Sequence, residues 1–342
     1  MTQVENGISV IICAYTEERW NDLLAAIESV QRQTLPPGEI IVVIDHNPGL
    51  LKLAQKHLQG VVIVENAGSR GLSGARNSGI AAAKSEFIAF LDDDAVATPD
   101  WLVFLYKGFT DPHVLGIGGP VIPLWLSNEP VWFPEEFHWV VGCTYRGMPQ
   151  IATTIRNPVG ANMSFRREVF DGVGGFRSEI GRVGTRPIGC EETELCIRAR
   201  QCWPQSVFLY MPQANVFHRV PGKRTRWRYF CSRCYSEGLS KAAVARYVGV
   251  KDSLESERTY TLRTLPQGVM RGLTDALIRR DFTGFARAGA IVIGLVVTTV
   301  GYIVGSLFSR VTRSRNTIVT EAVLQQGSEI SLTPGYPSEV TG

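Results

Sequence analysis

The chain has 342 residues, of which 44% are hydrophobic and 20% are charged, and its formal net charge is +3. This composition excludes a disordered polar chain, and the length suits one large α/β domain with an appendage. Seven cysteines without a framework spacing exclude a small disulfide-stapled fold and favour a reducing compartment.

Residues 8–92 alternate between β-branched runs and amphipathic segments. The pattern predicts strands at 8–14, 39–45, 61–65 and 87–92, and helices near 19–33, 50–58 and 72–84. Buried strands that alternate with helices are typical of a doubly wound, mostly parallel sheet. In such sheets ligands bind beyond the carboxyl ends of the strands, so polar residues at those ends are candidates for a site.

Three predicted strands end in such residues. Tyr15-Thr-Glu17 follows the first strand, Asp45 ends the second, and Asp92-Asp93-Asp94 ends the fourth. Carboxylates spaced two apart on an extended segment point the same way, and hard cations such as Mg²⁺ or Mn²⁺ prefer oxygen ligands. The triplet therefore predicts a cation site. An acidic turn before the helix start at Thr98-Pro99-Asp100 is the alternative.

The middle of the chain is less regular. Residues 121–156 are rich in Pro and Trp and are predicted to form loops over a cleft, where the aromatic side chains either stack on a ligand or pack in a lid. A helix is predicted to begin near Glu191, and a short strand at 207–210. The acids Glu191, Glu192 and Glu194 either carry chemistry or favour a helix N-terminus.

The C-terminal third is basic and then apolar. From Arg219 to Lys251, both included, the chain has nine Lys or Arg residues and one acid. Such a local excess of positive charge is typical of a surface that binds phosphates, anionic lipid or nucleic acid. Residues 288–308 carry no charge and as a helix would span roughly 31 Å, enough for a bilayer core. The apolar run favours a membrane surface over nucleic acid as the partner of the basic stretch.

Six segments in chain order together resemble the family 2 glycosyltransferases, whose fold is called GT-A, over roughly residues 7–220. They are Ser9–Glu17, Glu39–Asp45, Gly71–Asn77, Leu91–Asp94 (the DxD motif), Cys190–Leu195 and Ala214–His218. The resemblance implies an α/β GT-A fold with a sheet flanked by helices, here extended by C-terminal, membrane-associated helices.

The same resemblance implies roles for individual residues. A bound Mg²⁺ or Mn²⁺ would be held by Asp92, Asp94 and His218, with Asp93 pointing away from the ion. The catalytic base would be Glu192, the second acid of its motif, although Glu191 stays open as the alternative. The residues expected to contact the nucleotide-sugar donor are Ala14, Tyr15, Glu17, Asp45, Arg76, Asn77, Asp92 and Asp93.

We expect four regions. Residues 1–222 are predicted to form the catalytic domain, with a nucleotide-binding half at about 7–120 and an acceptor half at about 121–222. Residues 223–287 are predicted to be a basic amphipathic helical region, 288–308 a transmembrane or membrane-inserted helix, and 309–342 a polar, disordered tail.

The resemblance thus implies a metal-dependent, inverting hexosyltransferase. It would move a sugar, expected from a UDP-sugar, to a lipid-linked or cell-envelope glycan at the cytosolic face of the cell membrane, without nucleic acid and with a homo-oligomer left open. Two alternatives are weaker. A sugar nucleotidyltransferase would carry a Gly-rich triphosphate loop, which Tyr15–Arg19 is not, and a non-catalytic scaffold would not need Asp92, Asp94 and Glu192.

Overall fold

The computed structural model describes residues 5–181, 189–249 and 255–328. The strands are β1 Glu5–Ala14, β2 Glu39–Ile44, β3 Val62–Glu65, β4 Ser85–Asp92, β5 Ala95–Ala97, β6 Val114–Gly118, β7 Val121–Trp125, β8 Thr153–Ile155, β9 Asn162–Arg166, β10 Val207–Tyr210 and β11 Val216–Val220. The helices are α1 Trp20–Gln31, α2 Pro48–His57, α3 Leu72–Ala82, α4 Trp101–Gly108, α5 Arg167–Val173, α6 Glu191–Cys202, α7 Trp227–Val248, α8 Glu255–Thr259, α9 Leu265–Leu277 and α10 Thr283–Ser328.

The main sheet has eight strands in the order β3-β2-β1-β4-β9-β6-β10-β8. Strands β1 to β4 are parallel where they pair, because α1, α2 and α3 return the chain across the sheet between them. Apolar side chains on both faces of β1, β2 and β4 are buried in two clusters, one on each side of the sheet. The prediction of an α/β, doubly wound, mostly parallel sheet is confirmed.

An antiparallel strand, β9, joins the two halves of the sheet by pairing with both β4 and β6. A second sheet of three strands, β5-β11-β7, starts directly after the acid triplet. In it His218 is opposite Ala95, and the Arg219 amide donates to the Asp94 carbonyl at 2.9 Å. This register brings the chain around His218 next to the end of β4.

The Pro- and Trp-rich region contains core as well as loop. Residues 121–125 form β7, and Glu135–Val141 form a 3₁₀ helix. Phe133 and Phe137 are buried and pack against Phe230 of α7. The prediction of loops alone is wrong here, because the partners of these aromatic side chains lie about a hundred residues away in the sequence.

The C-terminal helices are packed onto the α/β fold. The aromatic cluster around Phe133 and Phe137 also contains Leu265 of α9 and Ile291 of α10, so the regions divided at residue 222 share one core. Helix α10 continues through Ser328, whereas a disordered tail was expected from residue 309. Residues 309–328 contain no proline, so nothing interrupts the helix; residues 329–342 lie outside the described part of the chain.

Helix α10 has two different faces. One face approaches α7 through glycines, since Gly301 and Gly305 lie against Tyr235, Gly238 and Ala242. The other face exposes apolar side chains, namely Val292, Ile293, Val296, Val300, Ile303 and Leu307. The segment Thr283–Leu307 is long and apolar enough to cross a membrane, with a mean hydropathy of 2.2 and 22% of its most apolar window buried.

Replacing Gly301 by Ala is expected to destabilise the protein by about 1–3 kcal/mol, because overpacking a close contact forces the helices apart. An added Cβ would overlap the backbone carbonyl of Tyr235 on α7. The control is Gly289→Ala in the same helix, where an added Cβ meets no heavy atom within 4 Å. Melting temperatures of the two variants in detergent check this, and equal values would contradict the close α7–α10 contact.

Candidate active site

The acid triplet ends β4 at the carboxyl edge of the sheet. Asp92, Asp94 and His218 each place a possible ligand atom within 4.8 Å of the others. The His218 Nε2 and the Asp94 Oδ1 are 3.1 Å apart. Asp94 and His218 are buried, whereas about a third of the Asp92 side chain is exposed, at 30%. The group is thus open to a ligand on the side of Asp92.

Two arginines adjoin Asp94. The Arg19 guanidinium lies 3.2 Å from the Asp94 Oδ2, and the Arg224 guanidinium lies 3.4 Å from the same oxygen. Burial alone would raise the pKa of Asp94, but His218 and the two arginines hold that pKa well below its usual range. Asp94 is therefore an ionised carboxylate at neutral pH, which suits a ligand for a cation.

The middle acid of the triplet has another environment. The Arg19 guanidinium donates to the Asp93 Oδ1 at 2.8 Å, and the other oxygen, Oδ2, is buried without a hydrogen-bond partner among the described residues. Burial and the neighbouring charge of Asp94 raise the pKa of Asp93 to about 7. Asp93 is not in the cluster around His218.

Arg76 connects the triplet to the acidic motif on α6. Its guanidinium donates to the Glu191 Oε1 at 2.7 Å and lies 3.6 Å from the Asp92 Oδ1. The side chain is only 2% exposed, and it lies over the ring of Phe176. A buried guanidinium with fixed partners is a rigid positive charge between two acids.

The three acids of the motif have separate environments. Glu191 is buried and bonded to Arg76. Glu194 is fully buried and pairs with Arg177 and Arg198, so it anchors α6. Glu192 lines the cavity described below, and burial together with the charge of Glu191 raises the pKa of Glu192 to about 8. Glu191 lines the same cavity, so the two acids differ in that Glu191 is paired with Arg76.

The residues expected to contact a nucleotide lie at the ends of β1 and β2. Tyr15 is exposed next to Ala14, and Glu17 accepts a hydrogen bond from Asn47 at 3.0 Å, a bond that lowers the pKa of Glu17. The buried Asp45 accepts hydrogen bonds from the Asn66 side chain at 2.6 Å and from the Gly71 amide at 2.9 Å. These side chains therefore shape one surface at the edge of the sheet.

Asn77 has a different role in the structure. Its side-chain amide donates to the Phe176 carbonyl and accepts from the Phe176 amide, both at 2.8 Å. Both ends of the side chain are used in this bond pair. Asn77 thus holds the segment that follows α5, and the structure does not bring it into the group around Asp92.

A cavity of about 720 Å³ adjoins these acids. Its lining includes Asp92, Glu191, Glu192 and His218, together with residues of α7, of α10 and of the segment between α8 and α9. Trp139 also lines it, with its indole nitrogen donating to the Tyr260 hydroxyl at 3.0 Å. A volume of several hundred Å³ is typical of a small-molecule site.

Most of the aromatic cluster is packing. Trp132 contacts the rings of Phe133, Trp227 and Phe230, and Trp125 contacts the ring of Phe133. These contacts support the lid-packing alternative for Trp125 and Trp132. Trp139 keeps a position on the cavity wall.

Sequence reasoning missed two arginines near the triplet. Arg19 follows the first strand in a segment that carried no charge pattern, and Arg224 belongs to the basic stretch that was assigned to a membrane surface. The structure buries Arg224 against Asp94 and His218. The membrane-surface interpretation is wrong for this residue, because a run of cations along the sequence does not reveal which of them turns inward.

The chain matches the family model "Glycosyl transferase family 2" over residues 9–174. It is 35% identical over 238 residues to the "Glucosyl-dolichyl phosphate glucuronosyltransferase" of Haloferax volcanii, an alignment that covers 68% of this chain and 76% of that protein. It is 29% identical over 186 residues to the "Pre-mycofactocin glycosyltransferase" of Mycobacterium tuberculosis, covering 54% of this chain and only 37% of that protein.

The fold is similar to that of a solved structure, "Mannosyltransferase PcManGT from Pyrobaculum calidifontis in complex with GDP-Man and Mn2+". The TM-score is 0.57, and the superposed regions cover 87% of this chain and 90% of that one. The sequence identity is 17%, so this likeness concerns the fold.

Proposed function

The chain belongs to glycosyl transferase family 2 and is a glycosyltransferase with a nucleotide-sugar donor, and from this premise we propose that it is a metal-dependent, inverting hexosyltransferase acting on a lipid-linked acceptor. The observation that carries the proposal is the joint position of two groups. Asp92 and His218 of the possible cation site and Glu192 of the acidic motif line the same cavity, so a donor diphosphate and an acceptor hydroxyl would meet there.

The residues at the triplet fit a divalent cation. Two carboxylates and one imidazole are a donor set that suits Mn²⁺, and the carboxylates also suit Mg²⁺. Asp92, Asp94 and His218 would hold the ion, and the mannosyltransferase of similar fold from Pyrobaculum calidifontis was solved in complex with GDP-Man and Mn²⁺. When bound, such an ion neutralises the charge that develops on a diphosphate leaving group.

The acidic motif supplies the proton acceptor. A hydroxyl is a weak nucleophile, and Glu192 takes its proton as the oxygen attacks the anomeric carbon. The bond from that carbon to the diphosphate oxygen breaks in the same step, and the pair of electrons leaves with the diphosphate. With a single base opposite the leaving group, the displacement is direct and inverts the configuration of the anomeric carbon. The pairing of Glu191 with Arg76 supports Glu192 as the proposed base.

The donor is proposed to be a UDP-sugar. Asp45 is a buried carboxylate at the end of β2, and a carboxylate there accepts a hydrogen bond from the imide N–H of uracil. The exposed Tyr15 next to it offers a ring for stacking. Asp45, Tyr15 and Glu17 are the proposed contacts of the nucleotide, and Arg76 and Asp92 face the diphosphate side of the site.

The acceptor is proposed to be a lipid-linked glycan at the cytosolic face of the cell membrane. The apolar outer face of α10 would lie in the bilayer and hold the cavity at its surface. A relative with 35% identity is named for its action on glucosyl-dolichyl phosphate. The cationic residues of α7 that remain outside, such as Arg228, would face lipid head groups.

A screen of nucleotide sugars tests this proposal. The purified full chain would be incubated with each donor and Mn²⁺, with and without a membrane lipid extract, and donor cleavage and lipid-linked product would be measured. We expect cleavage of one UDP-sugar and a product that requires the extract. A donor cleaved without any lipid-dependent product would contradict the proposed acceptor, and formation of a nucleotide sugar from a triphosphate would favour the nucleotidyltransferase alternative.

The transfer rate is expected to rise with pH. Glu192 acts only when ionised, and its pKa is raised to about 8, so kcat/KM should fall as the pH drops below about 8 and level off above it. Glu191→Gln should move this acid limb to lower pH, because the repulsion between the two carboxylates is lost. Glu28→Gln, an exposed acid on α1, is the control. An acid limb unchanged in Glu191→Gln would contradict the assignment of Glu192.

A further inference from the structure

The loop between β3 and α3 encloses the carboxylate that follows β2. Asn66, the first residue after β3, is buried, and its side-chain amide donates to the Asp45 Oδ1 at 2.6 Å. The Gly71 amide, at the other end of the loop, donates to the Asp45 Oδ2 at 2.9 Å. Two donors from one loop therefore hold both oxygens of a carboxylate that is itself buried.

The Asn66 side chain has one fixed orientation. Its nitrogen also donates to the Ser69 carbonyl at 3.0 Å, and its oxygen accepts from the Gly68 amide and the Ser78 hydroxyl, both at 2.9 Å. Because the Gly68 amide is a donor only, it determines which end of the side chain is the oxygen. The Asn66 backbone amide donates to the Ile44 carbonyl at 2.9 Å. The nitrogen of Asn66 is thus held toward Asp45.

The backbone around Asp45 is fixed as well. The Asp45 amide donates to the Ala14 carbonyl of β1 at 2.8 Å. His46, the next residue, has a φ of 49°, in the left-handed region that residues other than glycine rarely adopt. Such conformations persist only where the surrounding structure imposes them, and they are concentrated at ligand sites. The carboxylate of Asp45 is therefore held through its backbone and through both of its oxygens.

The Asp45 carboxylate keeps one position for a further donor. A carboxylate accepts about four hydrogen bonds, two at each oxygen. At Oδ1 these positions are used by Asn66 and by the His46 ring, whose Nδ1 lies 2.9 Å away. At Oδ2 the Gly71 amide is the single partner among the residues that the structure describes. The Asp45 side chain is 11% exposed, so a ligand is able to reach it.

We propose that Asn66 is a positioning residue of the donor site, which holds Asp45 as an acceptor for the ring N–H of uracil or guanine and thereby rejects cytosine and adenine. At the corresponding ring position cytosine and adenine have a lone pair, which a carboxylate repels. A site built to accept a hydrogen bond discriminates strongly against a ligand that lacks the donor. Asn66 acts through Asp45 and does not itself contact the nucleotide. The inference rests on the proposed contact between Asp45 and the nucleotide base.

Calorimetric binding of nucleoside diphosphates tests this selection without turnover. The full chain in detergent with Mn²⁺ would be titrated with UDP and CDP, and with GDP and ADP, because the two bases of each pair have closely similar sizes. We expect UDP to bind at least about tenfold more tightly than CDP. A preference for GDP over ADP alone would assign guanine to the same acceptor, and equal binding within both pairs would overturn the inference.

Two variants of Asn66 separate positioning from stability. Asn66→Asp keeps the shape of the side chain and its acceptor oxygen but removes the donor to Asp45, and two adjacent carboxylates repel each other. Asn66→Ala removes the donor without adding charge. In both variants the preference for UDP over CDP should fall about tenfold or more. Equal weakening of UDP and CDP, with the preference unchanged, would show that Asn66 only stabilises the loop and would overturn the inference.

Ser78→Ala is the matched control. It removes a hydrogen bond to the same Asn66 side chain, but at the oxygen and not at the nitrogen that donates to Asp45. The preference for UDP over CDP should therefore stay close to that of the wild type. A loss as large as that in Asn66→Asp would show that any damage to the loop has this effect, and would count against a specific role of the bond to Asp45.

Asp45→Ala distinguishes failure of this inference from failure of the proposed function. If Asp45→Ala loses the preference for UDP while both Asn66 variants retain it, the positioning role is wrong and the proposed contact of Asp45 with the base stands. If Asp45→Ala also retains the preference, the proposed contact is wrong as well. Binding of UDP and CDP to the three variants, measured with the same Mn²⁺ concentration, decides between these results.

Discussion

Glu192→Gln is expected to reduce sugar transfer by about 10²–10⁴-fold, the usual contribution of a general base. Gln has nearly the same shape as Glu but accepts no proton, so the acceptor hydroxyl would attack without assistance. Donor binding should remain, because the proposed nucleotide contacts lie at the ends of β1 and β2. Single-turnover transfer and calorimetric donor binding, measured on the same preparation, check both parts.

Glu191→Gln is the comparison that separates the two acids. Glu191 is bonded to the buried Arg76, so its replacement leaves a buried guanidinium without that partner and should lower the melting temperature. Its transfer rate should stay well above that of Glu192→Gln. Full turnover in Glu192→Gln would contradict the role of Glu192 as the base. A greater loss of transfer rate in a folded Glu191→Gln protein would assign that role to Glu191.

Asp94→Asn is expected to abolish Mn²⁺ binding in the micromolar range and to reduce transfer by about 10²-fold or more, because the charge of a metal-bound diphosphate would lose its neutralisation. Asp94 is ionised in the structure, since His218, Arg19 and Arg224 lower its pKa. Its replacement by a neutral amide removes a full negative charge from the proposed ligand set. Calorimetric titration with Mn²⁺ and transfer assays measure the two effects.

Asp93→Asn is the matched control one residue away. The pKa of Asp93 is raised to about 7, so at neutral pH this side chain is partly protonated and an amide imitates one of its forms. It also lies outside the Asp92, Asp94 and His218 cluster. We expect near-normal Mn²⁺ binding and a far smaller loss of transfer. Comparable losses in both variants would show that the middle acid is itself a ligand.

The local patterns predicted the N-terminal part of the main sheet and its helices well. The alternation of buried runs and amphipathic segments placed β1 to β4 and α1 to α3 within a few residues, because each element carries its own periodicity. The middle region was harder. The local sequence around Phe133 and Phe137 predicts a loop. Their packing partner Phe230 lies too far away in the sequence for a local pattern to include it.

The candidate site was likewise predicted only in part from the sequence. Asp92, Asp94 and His218 were expected as one group, and the structure brings them together. Asn77, expected near the nucleotide, is used in two backbone hydrogen bonds with Phe176. Arg19 and Arg224 were not expected near Asp94, because charge alone does not tell an inward arginine from an outward one.

By itself the sequence determined the α/β class, the position of the acids at the strand ends, and the presence of one long apolar helix. These features follow from the hydrophobic periodicity and from the fact that polar residues are excluded from a buried strand and appear where it ends. Only the tertiary structure showed that Arg76 pairs with Glu191, while Glu191 and Glu192 both line the cavity. Only it joined Asp45, Asn66 and Gly71, because hydrogen bonds between separate segments depend on how strands and loops pack and not on their order in the chain.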